Sequence, residues 1–122
     1  QMVLAQRLAR RNCKECRMPD DDVNPKVLTD LGFSPEQASR VKATKGKGCP
    51  KCKDTGYKGR QGIYEILVVT KPIKEAILRQ ATTPELKEIA IKEGFQTMQD
   101  MGRRMIANGE LSFREFERVL SS

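Results

Sequence analysis

Four cysteines are the residues of this 122-residue sequence whose type and spacing could support a specific chemistry. They form two C-x-x-C pairs, Cys13 with Cys16 and Cys49 with Cys52, separated by 32 residues (17 to 48). Two residues between paired thiolates let both sulfur atoms of a tight turn bind one ion, and two such pairs supply the four ligands of a closed tetrahedral zinc site. Because the motif adds no open coordination position, the spacing predicts one structural Zn²⁺ per chain.

Two other chemistries fit four cysteines. Disulfides need an oxidising compartment, and no targeting segment is visible in the sequence. Iron in a rubredoxin-like site has similar requirements, although a long segment between the pairs and only 5% aromatic residues do not favour it. The colour of the purified protein would distinguish an iron protein from a zinc protein.

The segment between the cysteine pairs is predicted to hold two short helices. Asn24 followed by Pro25 begins the first, and Ser34 with Pro35 and Gln37 begins the second. Residues 44 to 62 contain five of the nine glycines and predict loops and short ribbon strands around the second pair. Residues 57 to 60 are predicted to form an exposed turn beside this zinc module. Apolar residues are sparse in the zinc module, residues 13 to 60, which predicts that this segment needs zinc to fold.

Residues 1 to 11 carry Leu4, Ala5, Leu8 and Ala9 at a helical spacing. No residue that could cap such a helix precedes them. The sequence therefore predicts that residues 1–12 are the end of a helix belonging to a longer protein.

The second half is predicted to be a helical domain, residues 61–122, that folds largely without zinc. Residues 62 to 69 form an almost continuous apolar run interrupted by Glu65, which predicts a strand buried on both faces. Four amphipathic helices follow, with start signals at Thr70, Thr82, Thr97 and Ser112. The predicted fold class is α+β and mostly helical, with the zinc module at residues 13–60.

The net charge of +7 lies entirely in the first half, where residues 1 to 60 hold 14 basic and 7 acidic side chains against 9 and 9 in the remainder. The basic first half indicates either an anionic partner or a solvated surface whose positive charge also offsets the negative charge of four thiolates around a metal. Low aromatic content predicts at most weak, salt-sensitive binding of nucleic acid. No apolar run reaches the roughly 20 residues of a membrane-spanning helix.

Catalytic motifs are missing from the sequence. His is absent, which excludes His-based acid–base chemistry. The Gly46-Lys47-Gly48 stretch lacks the spacing and the Ser/Thr of a phosphate loop. This chain by itself is therefore predicted not to be an enzyme and not to bind ATP tightly.

Several blocks of the sequence resemble one family, the secretion and extension ATPases of type II secretion systems and type IV pili. The blocks are Ala5-Gln6-Arg7-Leu8-Ala9-Arg10-Arg11 leading into the first cysteine pair, Leu31-Gly32-Phe33, Gly46-Lys47-Gly48-Cys49-Pro50-x-Cys52, Thr55 to Glu65, and the distal Asn108-Gly109 and Ser112-Phe113-Arg114-Glu115. The likeness covers nearly the whole chain. Asn12 departs from it, since an apolar residue is more usual there.

The resemblance implies that this chain is a C-terminal part of a larger ATPase. In such proteins a RecA-like core with a phosphate loop precedes the tetracysteine module, and a helical domain follows it. The parent would bind ATP and Mg²⁺, form a homo-hexameric ring at the cytoplasmic face of the inner membrane, and act on a membrane platform protein. Gln6 and Arg7 would complete a nucleotide site built by the core.

Retraction ATPases lack the tetracysteine module, so its presence indicates pilus extension or type II secretion. The alternative interpretation, from the residues alone, is a free-standing zinc-ribbon domain that binds nucleic acid.

Overall fold

The structure is a computed structural model that describes residues 2–120, with side chains from residue 5 onwards. Its elements are β1 (Met2–Asn12), β2 (Arg17–Pro19), α1 (Pro25–Asp30), α2 (Pro35–Arg40), β3 (Thr44–Gly46), β4 (Tyr57–Leu67), α3 (Lys71–Leu78), α4 (Thr83–Lys92), α5 (Met98–Ala107) and α6 (Phe113–Leu120). A short 3₁₀ turn covers Pro50–Cys52. Over the described residues the fold is mixed α+β, as predicted, and its six helices are the two predicted between the cysteine pairs and the four predicted in the second half. None of these helices has the length and apolar character needed to traverse a bilayer.

The N-terminal segment is a strand, so the prediction of a helix at residues 1–12 is wrong; Gln1 lies outside the described residues. β1 pairs antiparallel with β4 along its length, with Ala5 opposite Glu65 and Ala9 opposite Gln61. Ala5 and Ala9 pack into the core. A spacing of four places two residues on one side of a helix and also of a strand, so this pattern could not discriminate between them.

β4 is longer than predicted and includes residues 57 to 60. The prediction of a turn there is wrong, although Lys58, Gly59 and Arg60 are exposed as expected. The prediction of a strand buried on both faces is also wrong, since Ile63 and Leu67 are buried while Tyr64 and Ile66 are each 39% exposed. Buried and exposed side chains therefore alternate along this part of β4, as in a sheet with one face on the core.

Glu65 lies on the buried face of this sheet with 3% of its surface exposed. One carboxylate oxygen accepts the backbone N–H of Met98 at 3.2 Å, at the first turn of α5. The other oxygen lies 3.1 Å from Nζ of Lys87 in α4. The one charged residue of the apolar run therefore ties the sheet to the start of a helix, where a negative charge is favourable.

The helix starts agree with the sequence prediction at most positions. At five of the six described helices, the side chain of the capping residue accepts a backbone N–H of the first turn. These acceptors are Asn24, Ser34, Thr82, Thr97 and Ser112. Thr70 precedes α3 without such a hydrogen bond. β2 and β3 form the predicted short ribbon, with Met18 opposite Lys45.

One hydrophobic core joins the two halves of the chain. It contains Ala9, Leu28, Phe33, Ala38, Ala43, Ile63, Met98, Met105, Ile106, Leu111, Phe116 and Leu120. A smaller cluster of Leu67, Ile73 and Ala90 lies between β4, α3 and α4. Residues 13–60 and 61–122 therefore share their main core, and only α3 and α4 have a separate one.

Gly102 of α5 packs against Phe116 and Leu120 of α6, and we predict that Gly102→Ala destabilises the protein. In an ordinary helix interior this change stabilises by about 0.5–1 kcal/mol. Here an added Cβ would lie 2.8 Å from Cε2 of Phe116 and still closer to Cδ1 of Leu120. Overpacking of this kind costs about 1–3 kcal/mol, so the net effect should be a loss.

Urea unfolding of the metal-loaded chain measures this effect. Glu88→Ala on the exposed surface of α4 is the control and should change the free energy of unfolding by less than about 0.5 kcal/mol. A gain in stability for Gly102→Ala would contradict the packing argument.

Candidate metal centre

The four cysteines converge at the junction of the two small sheets. Cys13 and Cys16 lie in the connection from β1 to β2, while Cys49 directly precedes the 3₁₀ turn and Cys52 is its last residue. Their four Sγ atoms all lie within 4.8 Å of one another. Cys13 and Cys52 are buried, and the other two are half-buried. The structure thus brings together all four residues that the spacing singled out, in a group that could hold a metal ion.

The sulfur–sulfur distances fit a tetrahedral ion. Sγ of Cys13 lies 3.8 Å from Sγ of Cys49, Cys16 lies 3.8 Å from Cys52, and Cys49 lies 3.7 Å from Cys52. A tetrahedron with metal–sulfur bonds of about 2.3 Å has edges of about 3.8 Å. Four thiolates at this separation suit a soft divalent cation such as Zn²⁺.

Backbone amides point at the sulfur atoms. Gly48 donates to Sγ of Cys16 at 3.2 Å, and Gly56 donates to Sγ of Cys52 at 3.2 Å. Cys49 also donates its N–H to Sγ of Cys52, at 3.3 Å. Such donors stabilise the thiolate form and hold each ligand in place, as the hydrogen-bonding groups around a metal site commonly do.

Each C-x-x-C turn is called a knuckle here: the first carries Cys13 and Cys16, and the second carries Cys49 and Cys52. The glycines around the second knuckle have a steric role. The backbones of Gly46 and Gly56 approach so closely that a Cβ on Gly46 would overlap the carbonyl group of Gly56. Gly56 has a φ of +83° and uses its carbonyl oxygen to accept the N–H of Cys13 at 2.9 Å. Glycines that predict only irregular structure in the sequence therefore join the two knuckles.

The thiols have strongly different proton affinities. Burial raises the pKa of Cys52, but the amide hydrogen bonds of Cys49 and Gly56 outweigh it and lower the pKa to about 6. Burial also raises the pKa of Cys16, and neighbouring thiols add to this effect, so that it reaches about 11 despite the amide of Gly48. The raised pKa of Cys16 favours its neutral thiol at neutral pH, and a bound cation would stabilise its thiolate form.

Asn12 holds the first knuckle against the helical part of the chain. It is 4% exposed, and its side-chain Nδ2 donates to the carbonyl of Gly109 at 3.1 Å and to Oγ1 of Thr44 at 3.2 Å. Its backbone N–H donates to the carbonyl of Glu110 at 2.9 Å. Asn12, which departs from the family pattern, thus forms a buried polar link next to Cys13. The sequence did not predict this link.

A cluster of charged side chains around Glu115 is not predicted by the sequence. Glu115 is fully buried, and its carboxylate accepts the backbone N–H of Arg10 at 2.7 Å and both Arg10 and Arg118 guanidinium groups at 2.6–3.3 Å. The Arg10 guanidinium lies 4.2 Å from the ring centre of Tyr57. Burial raises the pKa of Glu115, but the hydrogen bonds of Arg118 and Arg10 outweigh it and lower the pKa to about 2.

This cluster connects the metal centre to α6. Tyr57 follows the second knuckle, and its hydroxyl lies 3.1 Å from the hydroxyl of Ser112, which caps α6. The sequence pattern assigns Glu115 only a capping role with Ser112. The i, i+3 spacing of Glu115 and Arg118 is the one local signal for the ion pair.

Gln6 and Arg7, the residues assigned to a nucleotide site by resemblance, are exposed on β1 and are not part of the cysteine cluster. Among the described residues, Arg7 donates one hydrogen bond, to the carbonyl of its neighbour Gln6 at 3.2 Å. Gly46 and Gly48, which do not form a phosphate loop, instead belong to the metal knuckle.

Comparison with known proteins places these features in a family. A sequence profile described as "Type II/IV secretion system protein" matches residues 1–118. The chain belongs to this family. The resemblance inferred from the motifs is thereby confirmed, and the tetrathiol group is a feature of a type II/IV secretion system protein.

Several characterised members of the type II/IV secretion family are similar to this chain. The type IV pilus assembly ATPase PilB of Thermus thermophilus is 38% identical over 113 residues, covering 93% of this chain and 13% of that protein. PilB of Myxococcus xanthus is 35% identical over 114 residues, covering 93% and 20%. The type II secretion system protein HxcR of Pseudomonas aeruginosa is 33% identical over 117 residues, covering 96% and 21%. The chain thus spans about a fifth or less of the length of these relatives.

Proposed function

We propose that this chain is the zinc-binding C-terminal part of a hexameric ATPase that drives type IV pilus assembly or type II secretion. The observation that carries the proposal is a tetrathiol group in a chain that matches pilus and secretion ATPases over 93% or more of its length. The catalytic RecA-like core, with its ATP and Mg²⁺, would lie in the remainder of such a protein. The 122-residue part would contribute structure and partner contacts.

The proposed metal is one Zn²⁺ bound by Cys13, Cys16, Cys49 and Cys52. The closed set of four sulfur ligands and the supporting amides favour a structural ion, which would offset thiolate charge and hold the two knuckles together. The Zn²⁺ would perform no step of a reaction.

Metal analysis of the purified chain tests this assignment. We expect one equivalent of zinc, no absorption in the visible range, and release of the metal with any single Cys→Ser variant. A strong visible absorption with bound iron, or metal well below one equivalent in carefully prepared protein, would reject zinc.

The chain alone is proposed to have no ATPase activity, because it has no phosphate loop in its sequence. Phosphate release above the buffer level that persists through further purification would contradict this. Nucleic acid binding distinguishes the alternative function: submicromolar, sequence-selective binding at about 0.15 M salt would favour a zinc-ribbon DNA- or RNA-binding domain.

The proposed partners are the other subunits of an ATPase ring and an inner-membrane platform protein, which implies a cytoplasmic, membrane-peripheral location. The exposed, basic start of β4, with Lys58 and Arg60, is the proposed contact. Arg60→Glu in the longer protein is expected to reduce pilus or secretion output several-fold without changing the fold, because it places a negative charge in a basic contact.

Pilus counts or secreted-protein assays measure this effect. Lys92→Glu on the exposed surface of α4 is the matched charge reversal and should leave output unchanged. Normal output from Arg60→Glu would remove the start of β4 from the proposed contact.

A further inference from the structure

A pocket of about 420 Å³ opens beside the exposed face of the β1–β4 sheet, and three of its five lining residues are arginines. The lining residues are Leu8, Ala9, Arg10, Arg60 and Arg118. Arg10 and Arg60 are directly opposite each other in the antiparallel register. Like charges at opposed positions of two strands destabilise the pair, so this arrangement costs stability unless an anion lies between them.

The charge of the pocket is only partly neutralised within the protein. Glu115 lies beneath it and binds both Arg10 and Arg118, whose side chains are still 43% and 52% exposed. Among the described residues, Arg60 has neither a hydrogen-bond nor an ion-pair partner for its side chain. Three guanidinium groups and one carboxylate leave the site with a net charge of +2.

The two guanidinium groups that hold Glu115 keep further N–H donors that Glu115 does not use. Arg10 and Arg118 each use Nε and Nη2 to hold Glu115, so Nη1 of each guanidinium group takes no part in holding that carboxylate. Because Glu115 fixes both groups, their free ends are positioned before any ligand arrives. Fixed guanidinium groups bind the oxygen atoms of carboxylates and phosphates through paired hydrogen bonds.

We propose that this pocket binds a phosphate group, held by Arg10, Arg60 and Arg118 and positioned by Glu115. A phosphate monoester carries a charge of about −1.5 to −2 at pH 7, which matches the excess of +2, whereas a single carboxylate would leave one positive charge uncompensated. The site is separate from the metal centre and does not depend on the proposed function of the longer protein. Its phosphate could come from a soluble ligand or from a lipid headgroup.

Titration of the metal-loaded chain with inorganic phosphate tests the site, with chloride at matched ionic strength as the reference. We expect saturable shifts of the Arg60 and Arg118 Nε–H signals in NMR spectra and a phosphate-dependent rise in the unfolding temperature, since a ligand bound to the native state stabilises it. Arg60→Gln should weaken binding by about fivefold, the upper end of what removal of one exposed charged contact costs.

Arg40→Gln is the matched control. It removes an exposed arginine at the end of α2 that does not line the pocket. Its phosphate affinity should equal that of the unmodified chain. Equal loss in both variants would show a general charge effect and would overturn the proposal.

Stability without phosphate separates a ligand site from a structural role. Because Arg60 faces Arg10 and has no partner among the described residues, Arg60→Gln should unfold at the same temperature or higher when phosphate is absent. A clear loss of stability in the phosphate-free variant would show that Arg60 supports the fold and would overturn the assignment.

The source of the phosphate is determined with two further probes, ADP and vesicles of phosphatidic acid compared with phosphatidylcholine. Binding of inorganic phosphate or ADP that depends on Arg60 supports a soluble ligand, and Arg60-dependent binding to phosphatidic acid alone supports a lipid headgroup. Failure of all three probes, or binding of an acidic peptide in their place, would overturn the proposal while leaving the proposed function of the longer protein intact.

Discussion

Cys13→Ser is expected to abolish metal binding and to unfold residues 13 to 56. A structural zinc site contributes about 10–16 kcal/mol in small zinc domains, which equals or exceeds the whole stability of an ordinary domain. Replacing one ligand leaves three sulfurs that cannot complete the tetrahedral shell. The same loss is expected for each of the other three cysteines, because every one supplies a single ligand.

The structure extends this loss beyond the zinc module. The sequence predicts that residues 61–122 fold largely without zinc, yet Leu28 and Phe33 pack in the same core as Met105 and Phe116. Asn12 also ties the first knuckle to the end of α5. We therefore expect α5 and α6 to lose part of their protection when the metal is removed. The separate cluster around Ile73 should keep α3 and α4 closer to their native state.

Amide hydrogen exchange before and after chelation measures this pattern. Protection should disappear in residues 13–56, decrease in α5 and α6, and persist longest in α3 and α4. Adding zinc back should restore the unmodified chain and fail to restore Cys13→Ser, which controls for damage by the chelator. Unchanged protection in residues 13–56 after complete removal of the metal would contradict the prediction.

Glu115→Gln should reduce the free energy of unfolding by about 2–3 kcal/mol at pH 7, because a buried carboxylate bonded to two arginines is lost. Arg10 and Arg118 are partly exposed and can turn to solvent, which limits the cost. The matched control is Glu85→Gln, which breaks the exposed pair with Arg79, and it should cost less than about 1 kcal/mol.

The stabilisation that the Glu115 carboxylate provides should also depend on pH. The pKa of Glu115 is lowered to about 2 in the folded chain from its ordinary value of 4.5. A lowered pKa means that the carboxylate stabilises the fold fully above about pH 4.5 and that this contribution is lost as the pH falls towards 2.

Unfolding free energies of the metal-loaded chain and of Glu115→Gln, measured from pH 7 downwards, check this dependence. Their difference should shrink below about pH 4.5, and metal analysis at each pH shows the range over which both proteins still hold zinc. A difference that stays constant across this range, or that is absent at pH 7, would show that the ion-pair cluster does not stabilise the fold.

The sequence by itself determined the features that depend on neighbouring residues. Two residues between paired cysteines place two sulfurs in one turn wherever that turn lies, so Cys13, Cys16, Cys49 and Cys52 identified the candidate site. Helix caps are equally local, because a side chain such as that of Ser34 bonds an N–H group three residues later. The family followed from the same short motifs and agrees with the matched profile.

Only the tertiary structure decided the features that depend on distant partners. Residues 2–12 form a strand because β4, which lies far along the chain, supplies its hydrogen bonds. Glu65 and Glu115 point inward because backbone N–H groups and cations from other elements compensate their burial. Arg10, Arg60 and Arg118 line one pocket because strand register and helix packing bring them together. They are far apart in the sequence, so the sequence alone does not indicate that they are neighbours.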